Sequence, residues 1–141
     1  MFCIFNSPLG GIAYRWDGKV CHEVSLSAQA GIPESVDPVS EWLNAYFNNQ
    51  QAPLPGLAEA ATPFQERMRQ GLLAIPFGEV RTYGEIAAAL HTAPRAMGQA
   101  LGANPLPILI PCHRIIAADG LGGFSCGIEW KKKLLKFERS F

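Results

Sequence analysis

The chain has 141 residues, of which 48% are hydrophobic and 17% are charged, and its formal net charge is zero. This composition excludes an intrinsically disordered chain, and the apolar runs are too short to cross a bilayer. Zero net charge also argues against extensive non-specific binding of nucleic acid. We therefore expect a soluble, unexported, cytoplasmic protein that forms one domain or two small lobes.

The charged residues are distributed unevenly along the chain. Residues 1–62 carry two basic and six acidic side chains, whereas residues 63–141 carry ten basic and six acidic ones. A polyanionic partner would therefore meet the second part of the chain. Ordinary solvated faces give the same counts, so both interpretations stay open on charge alone.

The first third of the chain has the pattern of an antiparallel meander. Met1–Asn6 and Gly11–Trp16 predict two strands joined by a turn. Asp17-Gly18 is a strong two-residue hairpin signal, and it leads into a third predicted strand within Lys19–Leu26. The pattern predicts a small antiparallel sheet.

A helix is predicted over Val39–Asn49, where aromatic and aliphatic side chains recur one helical turn apart. The stretch Gln50–Thr62 is rich in Ala and Pro and is the best linker candidate. We therefore divide the chain into an N-terminal α/β lobe with its linker, residues 1–61, and a second domain, residues 62–141.

The second domain begins with three predicted helices. Thr62 is an N-cap followed by proline, and the buried stripe behind it extends to Ile75. Thr82 and Glu85 have the spacing of a capping box, which starts a short helix over Thr82–Leu90. A third helix covers Ala93–Gly102. Two short helices joined by a tight turn indicate a helix-turn-helix.

The motif Pro111-Cys112-His113-Arg114 follows the apolar run Leu106–Ile110. A cysteine between a proline, which restricts the backbone, and a histidine is well placed to act as a nucleophile. A buried cysteine that serves only as a small hydrophobe gives the same local pattern. Beyond it we predict a short strand at Arg114–Ala118, a glycine-rich loop at Gly120–Gly127 and a final helix over Ile128–Arg139.

The third predicted helix of the second domain carries small side chains on one face. A helix about 10–12 Å across is too thick for a minor groove about 6 Å wide unless its side chains are small. Close helix–helix packing is the alternative explanation of the same pattern. The small residues are Ala96, Ala100 and Ala103 on one stripe and Gly98 and Gly102 on the next, with Arg95 and Gln99 beside them.

Several motifs occur together in the order and spacing of one family. They are Tyr83, Arg95–Gly98, Gly102–Pro105, Ile108–Arg114 and the glycine-rich loop. On these residues the chain resembles the O6-alkylguanine-DNA alkyltransferases, also called methylated-DNA–protein-cysteine methyltransferases.

The resemblance implies an α/β (α+β) fold with a small N-terminal antiparallel-sheet lobe carrying a helix and a mostly helical, winged-helix-like C-terminal lobe. It implies direct reversal of O6-alkylguanine in DNA, with O4-alkylthymine as a second candidate substrate, after the damaged nucleotide is flipped out. The partner would be double-stranded DNA, bound through its minor groove by a monomer, with cooperative loading left open. No cofactor and no membrane are implied; the protein would be nucleoid-associated in a bacterium and nuclear in a eukaryote.

The resemblance also implies catalytic roles. Cys112 would accept the alkyl group, and His113 would take its proton through a water while Glu138 orients the imidazole. Tyr83 would assist rotation of the target phosphate and donate a hydrogen bond to the leaving guanine. Arg95 would fill the space left by the flipped base. Because the attacked carbon is saturated, the product is a thioether that water does not cleave, so the protein would act once.

The resemblance assigns the remaining site residues to DNA binding, to the base pocket or to the structure of the site. Asn104 would be a structural hinge, and Lys131 would steady the glycine-rich loop and polarise the site. Phe124 stands where many family members carry Tyr. The implied pocket residues are Pro107, Ile115, Phe124, Ser125 and Lys131, and the implied DNA contacts are Arg95, Ala96, Gly98, Gln99, Ala100 and Tyr83.

Some members of the family that the chain resembles bind structural zinc. In this chain Cys3, Cys21 and His22 do not have the spacing of a recognised tetrahedral set, so we expect no metal.

The alternative function is that of a non-catalytic, alkyltransferase-like protein, which binds the lesion and lacks the acceptor cysteine. Cys112 argues against that alternative.

Overall fold

The computed structural model describes residues 2–28, 35–124 and 127–141. It separates into two compact units, Met1–Ala58 and Glu59–Phe141. The first unit contains a three-stranded antiparallel sheet of order β1-β2-β3, formed by Cys3–Ser7, Gly10–Trp16 and Cys21–Ala28. The predicted meander is therefore confirmed. The predicted boundary between residues 61 and 62 lies three residues after the boundary of these units. That the two parts are separate domains stays a prediction.

The hairpin between β2 and β3 is built by Asp17. Its carboxylate accepts hydrogen bonds from the backbone amides of Lys19 and Val20, at 2.8 and 2.9 Å. Gly18 supplies the positive φ of 100° that the turn needs. Because this turn holds residues 19 and 20, β3 begins at Cys21 and not at the predicted Lys19.

The first helix, α1, covers Pro38–Phe47, so the predicted helix is confirmed but begins one residue earlier and ends two residues earlier than predicted. Asp37 caps its N-terminus by accepting from the Ser40 amide, and the Ser40 hydroxyl accepts from the Asp37 amide. The same Asp37 carboxylate accepts a 2.6 Å hydrogen bond from the fully buried Tyr14 hydroxyl. Asn49, at φ 52°, lies beyond the helix end.

The second unit contains four helices and one short parallel strand pair in its described residues. β4, Arg81–Thr82, pairs with β5, Ile115–Ile116. The predicted strand at 114–118 is thus shorter in the structure, and β4 was not predicted because two residues carry no periodicity. The helices are α2, Pro63–Leu73; α3, Tyr83–Ala89; α4, Pro94–Gly102; and α5, Ile128–Arg139.

The predicted helix-turn-helix is formed by α3 and α4. Thr82 caps α3 through a complete capping box with Glu85, as the sequence predicts. The chain reverses at His91, which has a φ of 55°, and the Thr92 amide donates to the Ala87 carbonyl at 2.8 Å. These contacts hold the start of α4 close to the end of α3.

The apolar run before the cysteine motif forms a compact buried turn. Leu106, Leu109 and Ile110 are each at most 1% exposed, and the Ile110 amide donates to the Leu106 carbonyl at 2.9 Å. Ile108 adopts a φ of 72°, which costs a β-branched residue about 1–3 kcal/mol. The surrounding core therefore determines the direction in which the chain enters Pro111. No helix in the described residues is long and apolar enough to span a membrane.

Candidate active site and the open face of a helix

Cys112 lies in a short 3₁₀ turn, Cys112–Arg114, that connects the buried apolar turn to β5. Its backbone amide donates to the Ile110 carbonyl at 2.7 Å, and the Arg114 amide donates to the Pro111 carbonyl at 3.0 Å. The residue is 5% exposed and carries a thiol that is not part of a disulfide. The turn therefore holds this side chain in one place beside a cavity.

The cavity has a volume of about 340 Å³. It brings together three predicted site residues that are far apart in the sequence, Tyr83, Cys112 and Phe124, and the predicted DNA contact Gly98. Leu101, Gly102 and Gly123 also line it but were not predicted. The described lining residues are Tyr83, Gly98, Leu101, Gly102, Cys112, Gly123 and Phe124.

Sequence reasoning could have found two of the missed residues. Leu101 and Gly102 lie three and four positions after Gly98, which places all three on one face of α4. Pro107, Ile115 and Lys131, in contrast, were predicted to line the pocket but are not among its lining residues in the described chain. All three are buried: Ile115 belongs to β5, Pro107 to the apolar turn and Lys131 to α5. Ser125 and Cys126 lie outside the described residues.

The imidazole of His113 is fully buried and is held by Glu138 of α5. Its Nε2 is 2.5 Å from Oε2 of Glu138. An ionised carboxylate can only accept, so Nε2 carries the proton and Nδ1 is the basic nitrogen. Nδ1 is buried and has no hydrogen-bond partner among the described residues. The predicted pairing of His113 with Glu138 is therefore present.

Burial and neighbouring charges determine the protonation of this pair. Burial lowers the pKa of His113 from its ordinary value of 6.5, the Glu138 carboxylate opposes this, and the cations of Arg114 and Lys131 lower it further. Burial alone raises the pKa of Glu138, but hydrogen bonds and charges from His113 and Arg114 bring it down to about 2. The pair is thus a neutral imidazole donating to a carboxylate.

Lys131 reaches from α5 to two backbone carbonyls. Its Nζ donates to Ile115 at 2.6 Å and to Gly123 at 3.0 Å. The residue is fully buried, and burial lowers the pKa of its ammonium, whereas a negative charge on Cys112 would act in the opposite direction. Lys131 therefore ties the glycine-rich loop to β5 and places a positive charge near the cysteine.

Tyr83, at the start of α3, contacts the same loop. Its hydroxyl donates to the Gly123 carbonyl at 3.4 Å. Gly122 has a φ of +71°, and a Cβ there would lie 2.8 Å from Cε2 of the Tyr83 ring. Only glycine fits this position, both for its backbone conformation and for its approach to the ring. The sequence showed the glycines of this loop but not which of them was required.

The outer face of α4 is open. Arg95, Gly98, Gln99 and Gly102 are exposed, and a Cβ at either glycine would meet no described atom within 4 Å. Packing of another helix against these glycines therefore does not explain them within the described chain. Ala100 differs from its predicted neighbours. It is 5% exposed and lies on the inner face of α4, where its carbonyl accepts from Gln65 Nε2 at 3.3 Å.

Asn104 connects the end of α4 to the segment that carries Cys112. Its buried side chain accepts from the Leu106 amide at 3.1 Å and donates to the Ile110 carbonyl at 3.3 Å. Both partners belong to the buried apolar turn. Ala96 is half-buried on α4.

The model of one protein family, described as the DNA-binding domain of 6-O-methylguanine DNA methyltransferase, matches residues 63–140. That range contains every site residue named above. A methylated-DNA–protein-cysteine methyltransferase of Sulfolobus acidocaldarius is 57% identical over 98% of this chain and 92% of its own length. The chain belongs to this family.

Other relatives agree over nearly the full length. The methylated-DNA–protein-cysteine methyltransferase of Thermococcus kodakarensis is 38% identical over 96% of this chain and 86% of its own length. Mycobacterium tuberculosis OGT, crystallised in complex with DNA, is 36% identical and superposes with a TM-score of 0.84 over 99% of this chain and 93% of its own. The mixed α/β fold of the methyltransferase family is therefore present in both units.

Proposed function

We propose that this chain repairs DNA by direct damage reversal, transferring a methyl or other alkyl group from O6-alkylguanine to Sγ of Cys112. The observation that carries this proposal is the placement of the Cys112 thiol in the wall of a cavity, next in the chain to a buried imidazole that is held by Glu138. The cavity, about 340 Å³, is at the small end of the range of small-molecule sites, which suits a single flipped base.

The first step is removal of the thiol proton. A free thiol with an ordinary pKa of about 8.5 is only a few per cent ionised at neutral pH. Nδ1 of His113, through a bridging water, takes the proton, and the imidazolium that forms is stabilised by Glu138. The ammonium of Lys131 lies close enough to Cys112 to interact with a negative charge on it.

The second step is transfer of the alkyl group. The thiolate forms a bond to the saturated carbon, and the bond from that carbon to O6 breaks with its electron pair moving onto the guanine. The guanine leaves as an anion, which the Tyr83 phenol meets by hydrogen bonding or by donating its proton. Tyr83 lines the same cavity as Cys112. The product is a thioether, which water does not cleave, so each protein molecule acts once. The two steps use only side chains and water, and we propose that no cofactor takes part.

The open face of α4 is our candidate for the minor-groove contact. Its exposed glycines allow the backbone to approach the duplex, and Arg95 at its start is long enough to occupy the space left by the flipped base. Gly98 and Gly102 line the cavity as well as the exposed face, so the groove contact and the base pocket are continuous. Half-buried Ala96 and exposed Gln99 lie beside this path, whereas Ala100 is 5% exposed and we expect its side chain to contribute little to DNA binding.

The proposal also gives roles to Asn104 and Lys131. Asn104 acts as a hinge between α4 and the cysteine segment, and Lys131 steadies the loop that carries Phe124.

We propose that one monomer binds each lesion, in the cytoplasm of a prokaryotic cell or the nucleus of a eukaryotic one. Cooperative loading on DNA and activity on O4-alkylthymine are questions for the same assays.

Mass spectrometry tests the proposal directly. After incubation with duplex DNA carrying one O6-methylguanine, we expect one added methyl group per protein, mapped to Cys112. Cys112→Ala should still bind the duplex and gain no mass, and Cys3→Ala is the matched control that should react normally. Methyl transfer to another residue would contradict the assignment of Cys112.

The alternative of lesion recognition without transfer makes the opposite prediction in this assay. S. pombe Atl1, crystallised with damaged DNA containing O6-carboxymethylguanine, superposes on only 57% of this chain, with a TM-score of 0.50. Tight binding of the damaged duplex with no change in the protein's mass would favour that function.

A further inference from the structure

We propose that Arg114 is a positioning residue of the methyl-transfer reaction, which clamps Glu138 so that His113 stays neutral with Nδ1 available as the base. This inference rests on the proposed function of Cys112 and His113. Arg114 is not among the lining residues of the cavity in the described chain, and the contact through which it would act on the reaction is its ion pair with Glu138.

The Glu138 carboxylate is held from three directions. Arg114 donates from Nε to Oε1 at 2.8 Å and from Nη2 to Oε2 at 3.1 Å. The backbone amide of Gly78, sixty residues away in the chain, donates to Oε1 at 3.1 Å. His113 Nε2 donates to Oε2. Each oxygen therefore accepts two hydrogen bonds, which fills the capacity of a carboxylate.

Arg114 is itself fixed in place. Its Nη1 donates to the Ile75 carbonyl at 2.9 Å, and the guanidinium lies over the Phe77 ring, 5.7 Å from its centre. The side chain is only 10% exposed. A carboxylate bound by two parallel arginine hydrogen bonds cannot rotate freely, and a fixed carboxylate fixes the orientation of the imidazole that donates to it.

Burial is the main cause of the lowered pKa of His113, and the same arrangement adds the charges that act on it. The charged groups that act on it are Glu138 and Lys131 from α5 and Arg114 from the 3₁₀ turn, and the Cys112 thiol precedes it in that turn. Glu138 raises the pKa of the imidazole, whereas Arg114 and Lys131 lower it. Removing the Arg114 cation leaves Glu138 to act on His113 without that opposition, so the pKa of His113 should rise.

A rise in that pKa has a definite signature. The base must be neutral, so the rate of methyl transfer falls as pH drops below the pKa of His113. For each unit by which the pKa rises, the rate at pH values below both pKa values falls about tenfold, and the rate well above them is unchanged from this cause. Loss of Arg114 should therefore move the acid limb of the rate profile to higher pH.

The first experiment measures single-turnover methyl transfer from O6-methylguanine duplex as a function of pH. For Arg114→Met we expect a deficit that is several-fold larger near pH 6 than near pH 8. Arg114→Lys keeps the charge and loses the paired geometry, so its deficit should vary less with pH. Arg139→Met, an exposed arginine next to Glu138 in α5, is the control that should leave the profile unchanged. A deficit of Arg114→Met that is equal at all pH values would mean a merely structural role and would overturn the proposal.

The second experiment needs no variant of Arg114 and no substrate. Nitrogen-15 NMR of the imidazoles in the unmodified protein, assigned with His22→Gln and His91→Gln, reports the protonated nitrogen of each of the three histidines. We expect His113 to carry its proton on Nε2 and to remain neutral below pH 6.5. A proton on Nδ1, or an ordinary titration near 6.5, would contradict the clamp. If the protein took no methyl group while this signature was present, the proposed function would fail and the clamp would stand.

Discussion

The two units of the molecule bury different kinds of side chain. In the first unit the described core is hydrophobic, and its buried tyrosine hydroxyl, on Tyr14, is satisfied by the N-cap Asp37. In the second unit the structure buries six polar or charged residues: Arg69, Asn104, His113, Arg114, Lys131 and Glu138. Three of them, His113, Arg114 and Glu138, form one hydrogen-bonded network. Lys131 bonds the carbonyls of Ile115 and Gly123, and Asn104 bonds the turn that leads into Cys112.

The buried charges mark the second unit as the one that contains the candidate active site. Buried charges are expensive unless they are paired and hydrogen-bonded, and hydrophobic residues of similar volume would often be at least as stable. The second unit nevertheless retains them next to the cysteine. Their presence there is explained by the chemistry that we propose and not by stability.

Breaking the network should have the largest effect. Glu138→Gln leaves the Arg114 cation buried without its anion, which should lower the free energy of unfolding by about 3–5 kcal/mol. It should also abolish fast methyl transfer. Urea denaturation and the single-turnover assay measure the two effects. The matched change in the first unit, Tyr14→Phe, removes the hydrogen bonds of that hydroxyl with Asp37 and Ser35 and should cost about 1–3 kcal/mol with normal transfer. Equal losses in the two variants would remove the contrast between the units.

Acid should act on the same network. The pKa of Glu138 is about 2 in the folded protein, below its ordinary value of 4.5. The unfolded chain therefore binds a proton at this residue more readily, and the stability that Glu138 contributes is present above pH 4.5. It is lost as pH falls towards 2. Stability measured across this range should decline less steeply in Glu138→Gln than in the unmodified protein, and parallel curves would contradict this.

Gly122→Ala should disturb the loop that faces the cavity. The new Cβ would lie 2.8 Å from the Tyr83 ring, and the positive φ adds a strain of about 1–3 kcal/mol. Displacement of Tyr83 should slow methyl transfer, by up to about a hundredfold if the ring moves by 1 Å. Gly120→Ala, in the same loop with open space around it, is the control for the transfer rate. Normal transfer by Gly122→Ala would show that the position of Tyr83 is unimportant.

Gly98→Ala should have the smallest effect on stability, and it should raise the free energy of unfolding where the preceding variants lower it. A Cβ at this exposed helical position meets no described atom, so alanine should stabilise α4 by about 1 kcal/mol. The methyl group would stand between the helix and the minor groove, so affinity for duplex DNA should fall. Gly71→Ala in α2 should stabilise the protein without changing DNA affinity. Unaltered affinity of Gly98→Ala would argue that another face binds the duplex.

Local structure was largely predictable from the sequence. The capping box at Thr82 and the turn at Asp17 were predicted, because they depend on residues within three positions of one another. The capping box of Asp37 with Ser40 is equally local but was not predicted. The motif Pro111–Arg114 indicated Cys112 as a candidate nucleophile, and the resemblance to a known family supplied the roles of His113, Glu138 and Tyr83. It did not supply their geometry.

Tertiary structure decided the rest. The Glu138 carboxylate meets Gly78 and Arg114, which are 60 and 24 positions away, and Lys131 bonds carbonyls 16 and 8 positions away. Ala100 shares a helical stripe with Ala96 in the sequence, yet the packing of α4 buries it. Sequence patterns report which residues share a face of one element. Which element covers that face, and which buried charge finds its partner there, depends on how the whole unit packs.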